Sequence, residues 1–253
     1  MFESVARSVY YQLRRLFLGG YYRLITLNYD HTLIAPQKQL CGGVVRSYEL
    51  YNRHGNDAML AEMHSHCPTD AVVYDIGANV GVYSLSLAIE SAERTIVAFE
   101  PSPTVFDQLS KNVALNELEE QITLFQVGLG DTSGSQPFYT SSYTELSSFR
   151  SESATRWEAR IATTEPVEIV RLDEFVDSHI PPDVLKIDVE GTEAAVLRGA
   201  AETLTQHRPV VFVELHEDGL GPEMPEICRE VLLSYEYEIT ERPEYEYWVC
   251  TPR

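Results

Sequence analysis

The chain has 253 residues, 44% of them hydrophobic, enough for one substantial core and ordinary for a single α/β domain. Its 39 acidic and 19 basic residues give a formal charge of -20, which argues against nucleic acid as a partner, because a polyanion needs a basic face. Only Lys38, Lys111 and Lys186 are lysines, the other basic residues being arginines, and this skew beside so much acid suits a high-salt, halophilic cytoplasm where ions screen the repulsion.

At the start of the chain Phe2, Val5, Val9, Leu13 and Leu16 recur at helical spacing, and Arg7, Arg14, Arg15 and Arg23 stand against one acid, Glu3. This predicts a basic amphipathic helix that docks on the catalytic domain, with a peripheral contact to an anionic membrane surface as the alternative. No apolar run is long enough to span a bilayer and no secretory signal is legible, so a cytoplasmic location is expected, at most at the inner membrane surface. Residues 28–50 predict a hairpin or two, from 29–35 and from Gly42-Gly43 before Val44-Val45. A boundary falls at His64-Ser65-His66-Cys67-Pro68, dividing a helix and hairpin extension, 1–65, from a catalytic domain, 66–253.

From residue 71 apolar runs alternate with helical stretches, the mark of β-α-β units and of a Rossmann-like, doubly wound, mostly parallel α/β sheet. Strands are expected at 71–76, 95–99, 122–127, 184–187 and 210–215. Between them Val82, Leu85 and Ile89, then Phe106, Leu109 and Val113, then Val196, Ala200 and Leu204 form buried helical stripes. Ser102-Pro103 supplies a cap and a first-turn proline, and Thr192 is expected to cap the helix after the fourth strand. The interval 134–182 breaks the rhythm with a polar stretch, 139–160, and an edge-type strand, 166–170, and reads as an insertion covering the site. A helix from Pro225 to Leu233 and a terminal hairpin, 235–242 with 245–251, close the chain. Cys41, Cys67, Cys228 and Cys250 show neither a C-x-x-C pair nor zinc spacing, and read as free thiols.

An open parallel sheet binds its ligand beyond the carboxyl ends of the strands, which singles out the loop after the first strand. There Gly77 and Gly81 allow a sharp turn and close approach, and Asn79 tolerates a left-handed conformation. Asp75 is placed to attract a cationic amino group, and Glu100, nineteen positions past Gly81, can accept both hydroxyls of a ribose. Loop and acid together suit S-adenosylmethionine or a dinucleotide. The G-x-x-x-G spacing lacks the G-x-G and third glycine that seat a pyrophosphate, which favours the adenosyl amino acid over an NAD-dependent oxidoreductase. A non-catalytic cofactor-binding scaffold is the third class.

A second constellation ends the buried strand at 184–187 in Asp188 and Glu190, just ahead of a helix. The next strand ends in Glu214 and His216, which share a face by the strand's period of two. His216 is the candidate general base, since histidine suits proton abstraction near neutrality, with Asp188 orienting the acceptor and Glu190 as the weaker candidate. Asp188, Glu190, Glu214 and His216 also compose a less favoured site for a divalent metal. Lys186 is expected to pack its stem and expose its amine.

The words DIGANVGVYSL, AFEP, LKIDVEGTEAAVLRGA and VVFVELH occur in that order over roughly 71–216. In them the chain resembles the FkbM-type family of class I S-adenosylmethionine-dependent methyltransferases, which mostly methylate hydroxyl groups. The resemblance implies a seven-stranded sheet with an antiparallel last strand. It implies cofactor contacts from Asp75, Gly77, Ala78, Asn79, Gly81 and Glu100, with Gly128-Leu129-Gly130-Asp131 by the adenine; Asp188 counts among both the catalytic and the cofactor-binding candidates. The acceptor it implies is a sugar, a glycan or a secondary-metabolite hydroxyl.

Overall fold

The computed structural model describes residues 2–52, 54–143, 146–156, 159–215 and 223–253; for 2–16 and Glu223 it describes the backbone alone. The basic N-terminal stripe therefore lies outside the described side chains, although helix α1 spans Phe2–His31. This helix runs past the point where a strand was expected at 29–35, because Tyr29 and Asn28 anchor its last turn. Tyr29 is fully buried and its hydroxyl accepts from Asn112 Nδ2 at 2.8 Å, while the Asn28 amide donates to the Ile34 carbonyl at 2.7 Å. Phe17, Leu24 and Leu27 on the same helix face outward. The hairpin that follows is β1 (Gln37–Leu40) with β2 (Gly43–Arg46), in antiparallel register.

Helix α2 (Ala58–His66) leads into the alternating part, where β3 (Val72–Ile76), α3 (Val82–Glu90), β4 (Thr95–Phe99), α4 (Pro103–Leu115) and β5 (Ile122–Phe125) succeed one another. Ser102 caps α4 by accepting from Val105 N, and Pro103 opens the helix, as its fixed φ and missing N–H favour. After β6 (Gly128–Leu129) the insertion contributes β7 (Gly134–Ser141), α5 (Ser151–Ala154), β8 (Ile161–Val170) and α6 (Leu172–Val176). Here the edge-strand expectation fails. β8 is longer than 166–170 and lies in the middle of a three-stranded sheet, between β6 and β7, so its alternating pattern reflects a sheet with one solvated face.

The chain then adds β9 (Val184–Ile187), α7 (Glu193–Gly199), β10 (Val210–Glu214), α8 (Glu223–Ser234), β11 (Tyr237–Arg242) and β12 (Tyr247–Pro252). Thr192 makes no side-chain capping bond at α7; its hydroxyl turns instead to the Val189 carbonyl at 3.5 Å. The main sheet has seven strands in the order β11-β12-β10-β9-β3-β4-β5, parallel from β10 through β5, with the last strand, β12, antiparallel to both its neighbours. One apolar layer, including Leu60, Val73, Leu85, Ile96 and Leu109, fills one face, and another, including Tyr74, Phe99, Leu185, Val196 and Leu232, fills the opposite face. Burial on both faces is what makes these strands continuous apolar runs.

Candidate active site

At the carboxyl ends of β3, β4, β9 and β10 opens a cavity of about 320 Å³, the size range of small-molecule sites. The turn after β3 forms one wall. Gly77 N and Ala78 N both donate to the Phe99 carbonyl at 3.0 Å, and Gly81 N donates to the Ala78 carbonyl at 2.9 Å. Gly77 has φ +78° and Asn79 φ 50°, the left-handed region read from the sequence. A Cβ on Gly77 would stand 1.8 Å from the Asp188 carbonyl oxygen, so glycine lets the β3 and β9 loops meet at the cavity.

Glu100 follows β4 and lines the same wall, 6% exposed. Its Oε2 accepts from Asn79 N at 3.0 Å and its Oε1 from Ser102 N at 2.9 Å, which fixes the carboxyl plane. Burial pushes this carboxyl up to about 7, against the downward pull of those two donors and of Lys186. Gly128 and Leu129 line the cavity nearby, opposite Phe149 of the insertion, whose ring would lie 2.5 Å from a Cβ on Gly128.

One sequence expectation is corrected at β9, beside β3. Lys186 does not expose its amine: it is 2% exposed, and its Nζ donates to the Gly77 carbonyl at 2.9 Å while pairing with Asp75 Oδ1 at 3.1 Å and Asp188 Oδ2 at 3.3 Å. Burial opposes this charge, but Asp75 and Asp188 outweigh it and hold the ammonium well above its ordinary value. Asp75 is fully buried and is not part of the cavity wall; Ser84 Oγ donates to its Oδ2 at 2.6 Å and Lys186 takes the other oxygen. The acid thus holds Lys186 and, through it, the loop carbonyl of Gly77.

Asp188, Glu190 and Glu214 all line the cavity. Glu190, with φ 54°, is ion-paired through its carboxylate with Arg156, and its carbonyl accepts from Ser148 Oγ at 2.9 Å, so the insertion clasps this turn. The Arg156 guanidinium thus occupies one side of the Glu190 carboxylate. Nor do the acids converge on an ion: among the described residues no three His, Cys, Asp or Glu side chains are grouped to hold a metal. His216 lies outside the described residues.

The N-terminal segment supplies residues that pattern reading did not single out. Tyr22, Lys38, Glu49, His54 and Asp57 line the cavity, facing Tyr83 from the first turn of α3. Tyr22 stacks on Tyr143 of the insertion with ring centroids 5.3 Å apart, joining α1 to the insertion beside the site. Lys38 is 6% exposed and donates to the Tyr51 carbonyl at 2.9 Å, so two of the three lysines of this chain are buried at the cavity. That scarcity was the available signal: in a chain with only three lysines, each is worth placing individually, and an ammonium is compact enough to be enclosed.

Residues 75–239 match the family described as methyltransferase FkbM domain. The hexuronic acid methyltransferase AglP of Haloferax volcanii is 31% identical over 180 residues, 69% of this chain and 68% of that protein. Methyltransferase sdnD of Sordaria araneosa is 29% identical over 184 residues, 62% of this chain and 71% of the relative. In fold the chain is similar to the crystal structure of methyltransferase FkbM from Methylobacillus flagellatus, with a TM-score of 0.50 at 15% identity, covering 72% of this chain and 44% of that one. A Rossmann-like cavity flanked by a glycine turn and a buried acid, within a match that runs from β3 into β11, makes this chain a member of the FkbM methyltransferase family and a methyltransferase.

Proposed function

We propose that this methyltransferase takes its methyl group from S-adenosylmethionine and places it on a hydroxyl of a sugar, a glycan or a secondary metabolite. The observation that carries the cofactor half is Glu100, a buried carboxyl whose plane is fixed by two backbone N–H groups beside a left-handed glycine turn. Each oxygen keeps further acceptor capacity for a ribose hydroxyl. Gly77, Ala78, Asn79 and Gly81 offer a close-approach wall for the amino-acid tail, and Gly128 and Leu129, with Phe149 across from them, offer a flat apolar slot for the adenine. Bound there, the cofactor supplies a methyl carbon on a positively charged sulfur.

The acceptor half rests on the opposite wall, where Asp188, Glu214 and Tyr83 meet the N-terminal segment. Its mixture of carboxylates, hydroxyls and buried ammonium groups suits a polyhydroxylated acceptor, since aligned polar groups fix the attacking oxygen and alignment supplies much of the rate. The likeness to a hexuronic acid methyltransferase supports a sugar. Isothermal calorimetry with S-adenosylhomocysteine and with NAD tests the cofactor: the thioether product binds and NAD does not. Binding of NAD without S-adenosylhomocysteine would refute the proposal, and binding without methyl incorporation into any cell extract would leave a cofactor-binding scaffold.

A further inference from the structure

The reading just proposed needs a group to take the acceptor's proton. Asp188 is held by Lys186, Glu190 by Arg156, and Glu100 belongs to the cofactor wall. Tyr83 is no base: burial first, then Asp57 and Glu214, push its hydroxyl well above the ordinary range, so it stays protonated and donates. Across the Tyr83 ring, whose face carries Lys186 Nζ at 4.9 Å from the centroid, stands His54, ring centroids 6.3 Å apart, edge to face.

His54 Nδ1 lies 2.8 Å from Asp57 Oδ2. The other oxygen, Asp57 Oδ1, accepts from Leu60 N and from the Tyr83 hydroxyl, each at 2.9 Å. Capping α2 needs only that second oxygen, so the cap does not account for the histidine. Burial pushes the Asp57 carboxyl up, but its hydrogen bonds from His54, Leu60 and Tyr83 win and hold it below its ordinary value. An ionised carboxylate can only accept, so Nδ1 carries the hydrogen and the lone pair available to take a proton is the one on Nε2. The ring lines the cavity and its side chain is 38% exposed, open to a ligand, with Lys38, Glu49, Asp57, Tyr83, Asp188 and Glu214 as the titratable groups of the same wall.

We propose that His54, oriented by Asp57, is the general base of the reaction and that residues 54–57 are therefore part of the catalytic machinery. The acceptor oxygen forms its bond to the methyl carbon as the carbon–sulfur bond breaks with its electron pair left on sulfur. The hydroxyl proton passes to His54 Nε2, and the imidazolium is stabilised by the Asp57 carboxylate. The assignment rests on the methyl-transfer reading above.

The test uses the full chain, methyl-labelled S-adenosylmethionine, and as acceptor an extract of the source cells lacking this protein. His54→Gln lowers incorporation about a hundredfold or more and removes the rise of rate with pH, and added imidazole restores part of it. Asp57→Asn keeps the α2 cap, because asparagine caps as well, and lowers the rate about tenfold. Both variants bind S-adenosylhomocysteine as the wild type does. An unchanged rate in His54→Gln, or a His216→Gln variant that loses the pH dependence while His54→Gln retains it, overturns the assignment. Nitrogen-15 spectra of the histidine rings give a readout that needs no acceptor: the Nδ1–H tautomer of His54 in wild type, lost in Asp57→Asn, supports it, and an Nε2–H tautomer in wild type refutes it. Absence of incorporation by the wild type refutes the methyl-transfer reading itself, and the ring spectra then still decide the His54–Asp57 arrangement.

Discussion

Glu100 couples cofactor binding to pH through its burial. Its carboxyl titrates at about 7, well above the 4.5 of an ordinary glutamate. The ionised form is therefore a cost to the free fold that grows as pH rises through that interval, because the native state holds the proton longer than the unfolded chain. Ribose hydroxyls donate, so S-adenosylhomocysteine selects the carboxylate, and below about pH 7 binding must expel a proton. The affinity is expected to be about tenfold weaker at pH 6 than at pH 8, following the ionised fraction, and calorimetry in buffers of different ionisation enthalpy should record proton release at the lower pH. Glu100→Gln should bind weakly at both values with no such slope; a wild-type affinity independent of pH would contradict the ribose role. Where Glu100 was legible as an acid ending an apolar strand, Lys186 was misread. Asp75 and Lys186 are register partners on adjacent strands, each one residue before the strand's last position. Periodicity treats each charge singly, whereas a lysine next to an aspartate between two buried strands has nowhere to send its amine except the carboxylate.

The strands of the main sheet were legible because both their faces are buried, so 95–99 and 184–187 coincide with β4 and β9 to the residue. The terminal hairpin was legible from its turn residues at Pro243-Glu244. What local pattern cannot supply is the partner across a long loop: β8 became a central strand because β6 and β7 pair with it, and the stretch around His54 became cavity wall because the N-cap of α2 is tied to α3 through the Tyr83–Asp57 bond. The turn between β3 and α3 offers the sharpest test at this scale. Gly77→Ala places a methyl group in the left-handed region and 1.8 Å from the Asp188 carbonyl, so the β3 and β9 loops must part. Backbone displacement there should lower S-adenosylhomocysteine affinity by at least about tenfold and cost on the order of 1–3 kcal/mol of stability, measured by calorimetry and urea unfolding. Gly134→Ala, which shares the positive φ (+147°) but whose Cβ meets nothing within 4 Å, separates backbone strain from the loop clash and should retain cofactor affinity. Equal affinity in Gly77→Ala and wild type would show that the turn is not part of the binding wall.

Across the whole molecule the charge ledger dominates its response to solvent. A net -20 spread over one domain stores self-repulsion that isolated surface pairs do little to offset, since each exposed pair contributes about 0–1 kcal/mol. Pairs such as Lys111 with Asp107 and Arg229 with Glu241 are of this kind. Salt acts on both terms, weakening the few attractive pairs and the many repulsive ones, and with 39 acids against 19 bases the repulsive set is larger. The screening length falls from about 10 Å at 0.1 M to about 3 Å at 1 M, shorter than most distances between acids on a surface of this size. Raising salt should therefore stabilise the fold. We expect thermal unfolding followed by circular dichroism to shift upward by several degrees between about 0.1 M and 2 M potassium chloride, with partial loss of helix on dialysis to the lower salt. Glu100, Asp75 and Lys186 lie buried, where salt screens poorly, so cofactor affinity measured on the folded protein should vary far less with salt than the melting temperature does. A melting temperature that stays constant over that range would remove the high-salt assignment while leaving the site untouched.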